Sequence, residues 1–140
     1  MFDGKTVSSP ILSAKGELGK LSIFCGSNPD GSHRGIGHIT FTTDNTSSVK
    51  DAVTFSSPSI PTSTWAQVDP GGQVTFPWAN TPSDNVSFEM MIESQTNASA
   101  TVPPTLTDIH GFVQHFDFGG CDFYAHVDTS DVASPTTLSP

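Results

Sequence analysis

The stretch NVSFEMMIES, residues 85–94, alternates without a break: Val86, Phe88, Met90 and Ile92 fall on one side, Ser87, Glu89, Met91 and Glu93 on the other. A period of two is the repeat of an extended strand, so this segment has one face for a core and one for solvent or a partner. The same signature returns at short intervals. "KLSIFC" places Leu21, Ile23 and Cys25 together, "GHITFTT" turns Ile39 and Phe41 inward and His38, Thr40 and Thr42 outward, and "AVTF" pairs Val53 with Phe55. "TWAQVDPGGQVTFPW" predicts two strands joined at Asp69-Pro70-Gly71-Gly72, because proline presets one turn dihedral and glycine supplies the positive ones. The second arm buries Val74, Phe76 and Trp78.

About eight such strands with no helical period between them predict an all-β chain, a single antiparallel β-sandwich, with an eight-stranded jelly roll as the expected arrangement. Apolar residues are only 34% of the 140, but ten Phe and two Trp supply large buried areas for one core. The expected division is an N-terminal arm over 1–20, the sandwich over 21–128 and a Ser/Thr/Pro-rich tail over 129–140. The stretch "SQTNASATVPPTLTD" reads as a long loop, since Pro103-Pro104 excludes both helix and central strand.

Charge is segregated along the chain. Lys5, Lys15, Lys20 and Arg34 lie in the first quarter, Lys50 follows, and no basic residue occurs after it, whereas ten acidic residues do. Phosphate backbones are bound chiefly by Lys and Arg, so nucleic acid is not an expected partner. The N-terminus carries no apolar run of the kind a secretion signal needs, and no stretch is long enough to span a membrane, so synthesis in a host cytoplasm and no membrane partner are expected. In that setting Cys25 and Cys121 are expected as buried thiols, since a bridge between them would need an oxidising compartment.

The segment "HGFVQHFDFGGCDFYAHVD" repeats a His-x-Asp triplet's elements on both sides of Gly119-Gly120. A two-residue glycine loop would set Phe118 opposite Cys121, Asp117 opposite Asp122 and His115 opposite Tyr124. In that register Phe112, Phe116, Phe118, Cys121, Phe123, Ala125 and Val127 share the core face, with Gln114. Val113, His115, Asp117, Asp122, Tyr124 and His126 share the outer one. His115, Asp117 and His126 then resemble in outline the two-His-one-carboxylate set of non-haem iron oxygenases, but no Arg follows Arg34 to hold a co-substrate carboxylate. Asp117 facing Asp122 requires solvation, a partner cation or a bound metal. His33 and His38 in "GSHRGIGH" read as turn and strand-surface residues.

No phosphate loop, nucleophile elbow or His-Glu-x-x-His motif is present, and neither an enzyme nor a cofactor is expected. Outward apolar residues are the better lead: Trp65, Met91 and Tyr124 are expected contact residues, with Lys5, Lys15, Lys20 and Arg34 as electrostatic docking points. The expected function is that of a non-enzymatic structural protein in a virion. It would be a virus or phage capsid decoration (cement) protein or small coat protein, trimeric, clamped by arm and tail to capsid or coat subunits. The alternatives are a carbohydrate-binding or host-attachment module using Trp65, and a metal-dependent enzyme using the His115/Asp117/His126 face.

Overall fold

In the computed structural model, residues 5–26, 36–58, 60–78, 85–115 and 121–131 are described, with the side chains of residues 5 and 60–63 set aside. The described residues form nine strands and no helix: β1 (Lys5–Ser13), β2 (Gly16–Gly26), β3 (Ile36–Thr43), β4 (Asp51–Ser57), β5 (Ile60–Val68), β6 (Gln73–Trp78), β7 (Asn85–Ser94), β8 (Thr105–His115) and β9 (Cys121–Asp131). They make two antiparallel sheets, ordered β1-β2-β3-β6 and β5-β4-β7-β8-β9, so the sandwich read from the alternation is present. Each sheet contains a run of three consecutive strands, β1-β2-β3 and β7-β8-β9, and the chain crosses between sheets after β3, β5 and β6. The described strands number nine, in this order of meanders and crossings.

Two further expectations change. Residues 5–20 are not an arm beside the sandwich; they are β1 and the first half of β2, paired from Lys5↔Cys25 to Ser13↔Gly16. The Asp69–Gly72 turn forms as expected, with Gly72 N–H donating to Asp69 O at 2.8 Å and Gly71 at φ 73°, the left-handed value that this turn position demands. Its two arms, however, do not pair with each other. β5 joins β4 and β6 joins β3, so the turn carries the chain from one sheet to the other.

The alternating residues meet between the sheets. Leu21, Ile23, Cys25, Ile39, Phe41, Val53, Phe55, Phe76, Trp78, Val86, Phe88, Met90 and Ile92 are all buried in one core. A ladder of stacked rings runs across it, Phe76 on Phe55 (4.9 Å between centroids), Phe55 on Phe88 (6.1 Å) and Phe88 on Phe123 (6.0 Å). Stacked pairs of this kind are worth about 0.5–1.5 kcal/mol each beyond the area they bury. Phe88 and Phe123 sit on strands either side of β8, where Gly111 lies opposite both Phe88 and Ala125. A Cβ on Gly111 would stand 1.9 Å from the Tyr124 carbonyl oxygen, so this position demands a residue without one.

One end of the sandwich is knitted by a buried polar network. Asp51 is fully buried and accepts hydrogen bonds from Thr43 Oγ1 (2.5 Å), Asn45 Nδ2 (3.2 Å) and the Gln95 backbone N–H (2.7 Å). Asn45 in turn donates to Val49 O and accepts from Ser47 N–H, while its own carbonyl takes the Gly71 N–H. Burial raises the Asp51 pKa above its ordinary value despite the three hydrogen bonds that oppose the shift. The long loop over 95–104 is ordered by the same logic, with Asn97 at φ 58° donating through Nδ2 to Lys15 O at 3.0 Å.

At the opposite end the sheets are joined covalently. Cys25 on β2 and Cys121 on β9 form a disulfide with Cα atoms 6.7 Å apart, in place of the two free thiols expected. Trp78 lies over Gly37, its cross-strand partner, and Nε1–H donates to His115 Nε2 at 3.2 Å across the core.

Candidate functional site

The last two strands decide what the protein presents to its surroundings. The hydrogen bonds pair His115 with Cys121, Gln114 with Asp122, Val113 with Phe123 and Phe112 with Tyr124. This is three residues away from the register that a Gly119-Gly120 loop would impose, and an odd shift exchanges the two faces of one strand relative to the other. β8 is the strand that is reversed. Ile109 and Val113 are fully buried and His115 is 4% exposed, whereas Phe112 and His110 face outward.

The expected ligand set is therefore divided. His115 is a core residue whose Nε2 accepts from Trp78, which makes its imidazole the neutral tautomer protonated on Nδ1. His126 is on the outer face, where Nε2 lies 3.1 Å from Asp128 Oδ2. Asp122 is half-buried and pairs with Gln114 instead of facing Asp117, which lies outside the described residues together with Phe116, Phe118, Gly119 and Gly120. The shared face expected for His115 and His126 is corrected by this register. Buried beside the disulfide, His115, Cys25 and Cys121 have ligand atoms within 4.8 Å of one another, but the bridge occupies both sulfurs.

What does gather on the outer face of the five-stranded sheet is a grid across β7, β8 and β9. One row reads Glu89–His110–His126, the next Met91–Asp108–Asp128, and a third Ser87–Phe112–Tyr124. Ligand atoms of Glu89, Asp108 and His110 lie within 4.8 Å of one another, and the His110 and His126 rings are 5.3 Å apart. Partial desolvation and the Asp108 carboxylate raise the Glu89 pKa, with His110 opposing the shift. Phe112 and Tyr124 stack with centroids 4.9 Å apart, and 37% and 53% of their surfaces remain exposed. Val127 on β9 is opposite the buried Ile109 and so shares the inner face, where this edge strand leaves it 43% exposed. Asp108 went unread in the sequence because it fell in the stretch taken as a loop, and His110 because the assumed parity of β8 turned it inward; the alternation of Thr107 and Ile109 with Asp108 and His110 carried the signal.

The other expected contact residues are scattered. Trp65 and Met91 occupy the outer face in the same row, each opposite Thr54 on β4, and both are half-buried. Lys15 is not a free docking point: Nζ pairs with Asp131 at 3.0 Å and donates to Thr105 Oγ1 and to the Pro103 carbonyl, tying the β1–β2 turn to the other sheet. Lys20 is exposed on β2, on the opposite sheet, and Lys5 is the first residue of β1. Arg34 and His33 lie outside the described residues, while His38 stacks on Phe24 with centroids 5.1 Å apart. No helix of the described residues is long and apolar enough to cross a membrane.

No protein-family model, curated protein or solved structure matches the chain.

Proposed function

We propose that this chain is a non-enzymatic structural protein that acts by contact with protein subunits, most concretely a decoration or small coat protein of a virus or phage shell. The observation that supports this reading is the flank made by β8 and β9. The stacked Phe112–Tyr124 pair is exposed there, beside an eleven-residue strand at the edge of its sheet. Large exposed apolar groups mark contacts, and an open edge offers backbone hydrogen bonds to a further strand. The surrounding face holds Glu89, Asp108, Asp122 and Asp128, and no Lys or Arg follows Lys50 in the chain. The partner surface is therefore basic.

The mechanism is non-covalent clamping: a subunit surface packs on the aromatic pair and lies along β9, adding buried area that resists displacement of neighbours in the shell. A closed trimer suits this use, because a flank that meets a different surface on the next copy closes into a ring. Sedimentation velocity of the wild type and of a Phe112→Ser/Tyr124→Ser variant, each alone and with shells stripped of this protein, tests the proposal. The wild type should self-associate or co-sediment with shells, and the variant should do so at least about tenfold more weakly, as expected for loss of aromatic anchors. Equal behaviour of the two proteins would overturn it.

A second reading is favoured by the same pair. Tyr124 is the more exposed ring of the stack, and an open aromatic face is what a sugar-binding or host-attachment module presents to a pyranose. Glycan-array binding abolished by Tyr124→Ala, with no effect on self-association, would select that reading over the first.

A further inference from the structure

We propose that Glu89, Asp108 and His110, with His126 in reach, form a binding site for a divalent transition cation of the zinc class on the outer face of the five-stranded sheet. The proposal stands apart from the assembly reading and does not need it. Three adjacent strands set the geometry. Glu89 is the cross-strand partner of His110 and His110 of His126, while Asp108 and Asp128 form the neighbouring row. The first three already have ligand atoms within 4.8 Å of one another. Bonds of about 2.0–2.2 Å to a common ion bring such atoms to roughly 3–3.5 Å apart. Side-chain rotation on an open sheet face supplies that closure.

The donor chemistry chooses the ion. Two imidazoles with carboxylates suit zinc, copper or nickel, whereas calcium and magnesium prefer oxygen alone. The local charge pattern favours a cation. Two carboxylates are side by side, and the sequence offers no Lys or Arg beyond Lys50. Asp108 Oδ1 is covered and accepts no hydrogen bond among the described residues, which is a costly state for a carboxyl oxygen. His126 is also braced in the manner of a ligand, with Asp128 Oδ2 3.1 Å from Nε2 and Nδ1 as its remaining nitrogen.

The test is calorimetric titration of the intact, oxidised protein with zinc chloride alone, and separately with calcium chloride. With the Cys25–Cys121 bridge closed, the sulfurs near His115 cannot serve as ligands. One zinc ion per chain should bind the wild type. His110→Asn and Glu89→Gln should each weaken that binding at least about tenfold, the scale seen when a metal site loses a supporting group. Both side chains are exposed, so the metal-free urea midpoints of the variants should match the wild type and separate a lost site from a lost fold. Absence of zinc binding, zinc binding undiminished in both variants, or calcium binding as tight as zinc would each overturn the proposal.

Discussion

Reducing the Cys25–Cys121 bridge should cost the protein about 4.7 kcal/mol of stability, and nearly all of that effect should come from the unfolded chain. The two cysteines are 96 residues apart in sequence, so the bridge closes a loop over most of the chain. Removing that constraint restores conformational entropy to the unfolded ensemble, and the loop-length relation gives about 4.7 kcal/mol at 25 °C for a loop of this size. In the folded state little changes, because Cys25 and Cys121 are fully buried and reduced thiols remain acceptable core groups. Unfolding entropy of about 2.1 cal/mol/K per residue, over 140 residues, converts the loss to a melting point lower by roughly 16 °C. Thermal and urea unfolding with and without a phosphine reductant measure this directly, with free-thiol titration to verify the redox state. Identical midpoints for the two redox states would refute the argument that this bond holds the two sheets together.

Other perturbations have equally definite outcomes. Asp51→Ala leaves the Gln95 N–H, the Asn45 amide and the Thr43 hydroxyl without their acceptor and should destabilise by about 2–4 kcal/mol, whereas Asp51→Asn, which keeps an acceptor and can donate to Thr43, should cost under about 1 kcal/mol. Because burial raises the folded pKa of Asp51 above that of the unfolded carboxyl, the folded state takes up the proton first: its contribution to stability is greatest below the unfolded pKa and is lost as pH rises through the folded one. Urea midpoints across the acidic range should thus show a contribution of this sign in the wild type that is missing in Asp51→Asn. Gly111→Ala forces a methyl against the Tyr124 carbonyl and should destabilise by more than about 2 kcal/mol, the range of overpacked cores, as read by urea unfolding. Lys15→Ala removes the tie between the β1–β2 turn and the start of β8, and proteolysis within residues 95–104 should accelerate while the core melts little changed.

Alternation made much of this fold legible. Val86, Phe88, Met90 and Ile92 are buried as their spacing requires, as are Ile39, Phe41, Val53 and Phe55, because one-sided burial is the only way such a segment can hide its apolar groups. The Asp69–Gly72 turn was legible from local dihedral preference. Its partner strands were not, since turn chemistry says nothing about which sheet receives the next strand. β1 was missed because its outward residues are exposed and polar, leaving Val7 and Leu12 without a visible core partner, so the segment reads as an arm until its pairing with β2 is seen.

The candidate site failed on parity. Glycine pairs suggest a two-residue loop, but the strands close at His115 and Cys121 with five residues between them, and an odd slip moved His115 and Val113 inside and His110 and Phe112 outside. Two buried interactions far apart in sequence hold that choice in place: Trp78 with His115, and Cys25 with Cys121. No local pattern encodes either of them. The register also changes what a truncation means, because deleting residues 1–20 would remove an edge strand and half of its neighbour rather than a separable arm.

The claim on which the account rests is that this protein meets its partner through the outer face of β7, β8 and β9. Carbethoxylation of histidines, read by mass spectrometry on the free protein and on the protein bound to the shell proposed as its partner, tests that claim in one experiment. In the free protein His110 and His126 should label readily, His115 should not, and His38 on the other sheet should serve as the internal reference. On the shell, His110 and His126 should become protected while His38 labels as before. Protection of His38 with undiminished labelling of His110 and His126 would place the contact on the other sheet and contradict the account.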